Sequence, residues 1–179
     1  MAGQVTLLSH VTFIHRSFRP CEFRNILGGW LKPALADDQT VRLRDGETGC
    51  AAASLQSHSY VVMSVTFPPD GSALAFASDD ETVRLWDSET SNCITTVAGH
   101  AGAVTSVAFS PGVSTLASAS IDPAIRLWDA RTCSHITIIK GHSAWVMSVV
   151  FSTDDLRLAS GSDDKTPRLW HGDAHICHS

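Results

Sequence analysis

The chain has 179 residues, 44% hydrophobic and 17% charged, with 13 Lys+Arg against 18 Asp+Glu and a formal net charge of −5. That is the scale of one modest domain with enough apolar content for a core, and a net negative charge offers no footprint for nucleic acid or an anionic bilayer. No run approaches the roughly 18 consecutive apolar residues of a spanning helix, the densest being short ones such as Val61 to Val65 and Ile136 to Ile139, so no membrane span is expected.

Residues 1–35 differ from the rest. They hold Arg16, Arg19, Arg24 and Lys32 against Glu22 alone, a net of +3, which leaves −8 for residues 36–179. An acid-poor, Arg-bearing start is the composition of an organellar transit peptide, but Ser is sparse here and no amphipathic stripe is visible. Met1 to Ser9 lacks the early positive charge of a secretory signal and barely shows its apolar core. With five cysteines, an odd number, the reading is a reducing compartment, the cytoplasm.

From residue 37 onward the sequence repeats. DDQTVRLRD (37–45), DDETVRLWD (79–87), IDPAIRLWD (121–129) and DDKTPRLWH (163–171) start 42 residues apart without slippage. Ser57-His58, Gly99-His100 and Gly141-His142 keep the same period, and so do the apolar sets Val62/Val65/Phe67, Val104/Val107/Phe109 and Val146/Val149/Phe151. Within one period VTSVAFS (104–110) reads as a strand, Pro111-Gly112 as a turn and TLASAS (115–120) as a second strand. Asp122-Pro123 marks the next turn, followed by AIRLWD (124–129) and SHITIIK (134–140). Four strands in 42 residues leave no room for a helix, and so small a sheet buries both faces only by stacking on its neighbours.

The Gly-His dipeptide, the turn Asp and the closing Trp-Asp resemble the WD-repeat family over residues 57–171, more weakly back to about 36. SDDETVRLWD (78–87) and SDDKTPRLWH (162–171) share 7 of 10 positions, which further resembles the WD arrays of fungal NACHT-type incompatibility proteins. The resemblance implies an all-β WD-repeat β-propeller of about four blades: a divergent segment over 1–35, an array over 36–171 and a tail over 172–179. It also implies a buried hydrogen-bond network in each blade: His100, Ser118, Asp122 and Trp128 in the third repeat, His142, Ser160, Asp164 and Trp170 in the fourth. The residue types suit the task, since indole N–H only donates, carboxylate only accepts, and hydroxyl and imidazole do both. The second repeat has His58, Asp80 and Trp86 but Phe76 in place of Ser, which predicts a looser blade. The first keeps only Asp38, with Ala34 and Arg44 at the Ser and Trp positions, and is degenerate.

A Ser-His-Asp set invites comparison with hydrolases. A nucleophile needs an exposed Ser on a strained turn beside an oxyanion hole, whereas Ser118 and Ser160 fall inside regular strands at the repeat period, and no G-x-S-x-G occurs. No catalytic residue is expected, and the chain reads as no enzyme.

Closure of the ring stays open at this level. Only HGDAHICHS follows Trp170, so the last repeat is read as lacking its fourth strand. VTLLSH (5–10) is similar to SLQSH (54–58) and TVAGH (96–100), which makes 4–10 a candidate closing strand and His10 the start of the degenerate first blade, with six residues inserted before Arg44. Pro167 points instead to an edge, because proline cannot donate to a ladder. A four-bladed ring, an open array that pairs through its sheet edges, and a fragment of a longer propeller with no independent activity all fit, with the open array preferred.

The remaining candidates lie outside the network. Cys50, Cys93 and Cys133 recur at the start of the fourth strand, with Cys21 and Cys177 outside the repeat. Arg42, Arg84, Arg126 and Arg168 recur among acids and are read as charge pairs. His171, His175, Cys177 and His178 are metal-ligand types, but with no second cluster to complete a site no metal or cofactor is expected. Tyr60 and Trp145, just after the histidine position, either bind a protein partner or pack between loops. The function this supports is a platform for proteins or peptides, the rival being a metal-binding or hydrolytic module.

Overall fold

The structure, a computed structural model, describes residues 58–171 in full, the side chain of Leu55, and the backbone of strands within 23–24, 30–31, 34–35, 40–44, 51–56 and 174–178. Among the described residues the chain is all-β, with no helix. A two-residue pair, β1 (Phe23–Arg24) with β2 (Trp30–Leu31), precedes a three-stranded sheet of β3 (Ala34–Leu35), β4 (Thr40–Arg44) and β5 (Ala51–Gln56). Three four-stranded antiparallel sheets follow. The second repeat's sheet is β6 (Val62–Thr66), β7 (Ala73–Ser78), β8 (Thr82–Asp87) and β9 (Cys93–Ala98). The third is β10 (Val104–Phe109), β11 (Thr115–Ser120), β12 (Ala124–Asp129) and β13 (His135–Lys140). The fourth is β14 (Val146–Phe151), β15 (Arg157–Ser162), β16 (Pro167–His171) and β17 (Ala174–His178). The predicted second and third strands of the third repeat match β11 and β12 to the residue.

Each sheet offers a trailing face to the leading face of the next. Ala75, Ala77, Val83, Leu85 and Val97 of the second sheet pack on Val104, Val107, Leu116 and Trp128 of the third. The third sheet repeats the joint with Ala117, Ala119, Ile125 and Ile139 against Val146, Val149, Leu158 and Trp170. Leu85 is left 2% exposed, a burial of the kind that contributes about 2 kcal/mol per leucine. Polar hand-offs run the same way: Val107 N–H donates to Ser64 Oγ at 3.4 Å and Val149 N–H to Ser106 Oγ at 3.3 Å. Leu55 of β5 packs on Val62, Leu74, Phe76 and Trp86, so the first sheet meets the second in like manner. Among the described residues nothing joins the fourth sheet back to the first, and the array is not closed.

The last repeat corrects the expectation of a missing strand. Residues Ala174–His178 pair antiparallel with β16, and His171 stands opposite Ala174, so only Gly172-Asp173 separates the two strands. Other repeats spend five residues there, 88–92 and 130–134, in turns folded around Asp87 and Asp129, whose Oδ1 atoms accept from Thr90 and Thr132 N–H at 2.7 and 2.6 Å. In the fourth repeat His171 stands where these aspartates are, and the strands on either side of residues 172–173 are two residues apart. Pro167 therefore lies in an interior strand, not at an edge. It opens β16 opposite Gly161, and β17 is paired only from Leu169 onward, so no ladder bond is asked of the missing N–H. The proposed closing strand 4–10, His10, the insertion before Arg44, Cys21, Asp38 and Cys50 lie outside the described residues.

Candidate functional site: the buried network and the loop end

The third and fourth repeats assemble the predicted networks. Trp128 Nε1–H donates to Ser118 Oγ at 2.9 Å, which lies 2.8 Å from His100 Nε2, while His100 Nδ1 lies 2.9 Å from Asp122 Oδ2. The equivalent distances are 2.9 Å for Trp170 to Ser160, 2.8 Å for Ser160 to His142 and 2.7 Å for His142 to Asp164. One proton arrangement satisfies every member. The indole can only donate, so the serine hydroxyl gives its own proton to Nε2, and Nδ1–H is left to donate to the carboxylate. Asp122 also accepts from the N–H groups of Ala101 and Ala124, at 3.0 and 3.2 Å. That ties the histidine loop to the β11–β12 turn.

Burial of His100 lowers its pKa against the opposing pull of Asp122. Burial also works to raise the Asp122 pKa but is outweighed by the Ala101 N–H and His100, so that pKa falls too. The pair at neutral pH is thus a neutral imidazole against an ionised carboxylate. Ser118 is 0% exposed, with its hydroxyl engaged by both Trp128 and His100.

The second repeat shows what Phe76 costs. His58 Nδ1 keeps Asp80, at 3.0 and 2.9 Å from its two oxygens, and Thr82 Oγ1–H donates to Asp80 Oδ1 at 2.6 Å. Burial raises the Asp80 pKa, but hydrogen bonds from Thr82 and His58 prevail and hold it at about 2. Phe76 is 0% exposed where the serine would stand, and His58 Nε2 and Trp86 Nε1 are buried without partners. Each orphan costs about 1–3 kcal/mol.

Gly99 and Gly141 precede the network histidines for a steric reason. A Cβ at Gly99, where φ is +154°, would stand 3.2 Å from Trp128 Cη2, and one at Gly141 would stand 2.9 Å from Trp170 Cη2. Arg126 and Arg168 reach the same spots with Nη1, 3.4 and 3.2 Å from those positions. The expected charge pairs do not form for Arg84 and Arg126. Among the described residues neither meets a carboxylate, and their Nε atoms are buried without hydrogen-bond partners, because nearby acids are committed to histidines and backbone N–H groups.

The loop end carries the exposed aromatics. Tyr60 is 63% and Trp145 52% exposed, so neither packs between loops. Asp79 N–H donates to Val61 O at 3.0 Å and Asp163 N–H to Trp145 O at 2.9 Å, which sets an exposed acid beside each hydrophobic position. In the sheet between them the matching residues are Gly102 and Ala103, with Ile121 N–H on Ala103 O at 3.1 Å. Tyr60 and Trp145 therefore stand at the loop ends of the second and fourth sheets, and between them the Ile121 side chain packs on Gly102, where an added Cβ would lie 2.6 Å from Ile121 Cγ1. The acidic turns beside Tyr60 and Trp145 are legible in the sequence, whereas the exposed Val61 is not singled out there, although the 42-residue period sets it at the position of Trp145.

No group of three or more His, Cys, Asp or Glu side chains converges to hold a metal among the described residues. His171 is exposed at the end of β16, and the side chains of His175, Cys177 and His178 lie outside the described residues. Cys93 and Cys133 are free thiols.

Stacked four-stranded sheets, each with its His-Ser-Asp-Trp position, define a repeat protein of the propeller class. The WD domain, G-beta repeat family matches residues 49–87, 91–129 and 133–171, about two thirds of the chain, and the chain belongs to that family. Such repeats indicate a protein-interaction scaffold in general, and their domains are typically non-enzymatic. No curated protein matches the chain.

Proposed function

We propose that the chain is a non-catalytic scaffold that binds a protein or peptide segment across the loop end of its stacked sheets, with Tyr60 and Trp145 as anchors. The observation that carries this is the exposure of both rings at one end, on the sheets either side of Gly102-Ala103. Large aromatics held on rigid sheets lose little entropy on binding, and Asp79 and Asp163 beside them favour a segment with basic residues. The free Cys93 and Cys133 support a cytoplasmic setting, and a platform of this kind needs no cofactor. The narrower likeness to fungal NACHT-type arrays rests on the near-identity of the repeats alone.

Selection of a displayed peptide library against the purified chain tests the proposal, with Tyr60→Ala/Trp145→Ala as counter-target and circular dichroism to check the fold. Enriched peptides should carry Lys or Arg flanking an apolar residue and lose binding to the double variant. Peptides that bind both proteins equally would refute the loop end as the site.

A further inference from the structure

Among the described residues no further sheet packs on the trailing face of the fourth sheet, although Ser148 at its inner end is only 9% exposed. By register the face holds two rows, Ser148–Gly161–Pro167 and Val150–Ala159–Leu169. In the second and third sheets these rows are sealed by the next leading face. Leu85 is 2% exposed there, and its equivalent Leu169 is 39% exposed. Ser64 and Ser106 each accept a backbone N–H from the following sheet, whereas Ser148 at the same position has no hydrogen-bond partner among the described residues.

We propose that this face docks a second copy of the chain, fourth sheet against fourth sheet about a two-fold axis. Over β14–β16 the two rows hold no Asp, Glu, Lys or Arg, and the register sets His178 of β17 opposite Leu169. A Cβ at Gly161 would meet no heavy atom within 4 Å, so the space next to the projecting Leu169 is open. A two-fold contact sets each Leu169 over the other copy's Gly161, which makes the surface self-complementary. Arg157, held at 3.3 Å by Asp154, and the exposed His171 give the apolar centre a polar rim. Other surfaces of the second copy fit less well. The leading faces of its third and fourth sheets are covered, and Leu55 already packs on its second. By the 42-residue period its first repeat has Lys32 and Arg44 where the others have Leu and Trp, and bringing such charges onto an apolar face is costly.

Light scattering on the whole chain over a range of concentrations tests this, independently of the loop end. The wild type is expected to be a dimer, while Leu169→Glu and Gly161→Arg, both at uncovered positions, are expected to be folded monomers. Ile136→Glu, an exposed change on the outer strand of the third sheet, should leave the dimer intact. A wild type that stays monomeric throughout overturns the proposal. So does a dimer that survives Leu169→Glu and Gly161→Arg, or one that is lost with Ile136→Glu alone, which would place association at the sheet edges.

Discussion

His58 and Trp86 face each other's unmet needs across Phe76: one has a buried ring nitrogen without a donor, the other a buried N–H without an acceptor. In the next repeat Ser118 serves both at once. The same substitution should therefore have opposite consequences in adjacent sheets. Trp128→Phe breaks a made hydrogen bond and is expected to cost about 1–2 kcal/mol, whereas Trp86→Phe removes an orphan and should be within about 0.5 kcal/mol of neutral or stabilising. Equal losses in urea titrations of the two variants would show that the orphaned pair is satisfied in solution.

Ser118→Ala recreates the defect of the second repeat without a phenylalanine to fill the space. Two buried groups, His100 Nε2 and Trp128 Nε1, lose their partner, and a loss of about 3 kcal/mol is expected. Any slow ester hydrolysis by the protein should be unchanged in this variant. A fall in hydrolysis that tracks the loss of the hydroxyl would make Ser118 a nucleophile after all.

Acid should weaken the array in two stages. The folded His58 and His100 have pKa values below the ordinary 6.5, so the unfolded chain binds protons first as pH falls below 6.5, and stability drops. Asp80, at about 2, and Asp122 are depressed below 3.8, so their contribution is present above that value and is lost on further acidification. Urea midpoints at pH 7.5, 6 and 5 should decline in order. A midpoint that rises between pH 7 and 5 contradicts this assignment of neutral histidines.

Gly141→Ala puts a methyl 2.9 Å from Trp170 Cη2 and 3.2 Å from Arg168 Nη1. The ring is held by its bond to Ser160 and cannot retreat freely, so a loss of about 1–3 kcal/mol is expected from this overpacking. At Gly99 the contact is looser, 3.2 Å, but φ of +154° adds backbone strain. Thermal melts of both variants check the magnitude, and a wild-type Tm for Gly141→Ala would show that the tryptophan site is softer than its bonds imply.

Removing residues 172–179 strips β17 from β16 and leaves an unpaired edge. Such edges template association. The truncated chain is expected to aggregate on warming at a lower temperature than the full chain, followed by turbidity. Identical onset temperatures would mean that the strand contributes nothing to edge protection.

The period made most of the architecture legible, because a spacing of 42 residues carried strands, turns and network members together, and each network residue has a donor or acceptor role that its side-chain chemistry alone prescribes. What escaped was set by space rather than by spacing. Arg126 has acids as neighbours in sequence, yet in three dimensions Asp122 is turned to His100 and Asp129 to Thr132. The fourth strand of the last repeat is hard to read because only nine residues follow Trp170, and it fits there only with a connection shorter than the five residues of the second and third repeats. The exposure of Leu169 depends on what covers its sheet, which no local pattern reports.

The family's repeat boundaries do not coincide with the sheets. The match over 91–129 opens with β9, which is hydrogen-bonded into the second repeat's sheet, and the match over 133–171 opens with β13 of the third. Each unit thus finishes its predecessor before it founds a sheet of its own. A gene segment one period long, cut at any phase and copied in tandem, would restore at its seam the same partners that every other strand already has. An array built this way can lengthen without having to invent a junction, and alike repeats such as 78–87 and 162–171, two periods apart, fit that mode of growth.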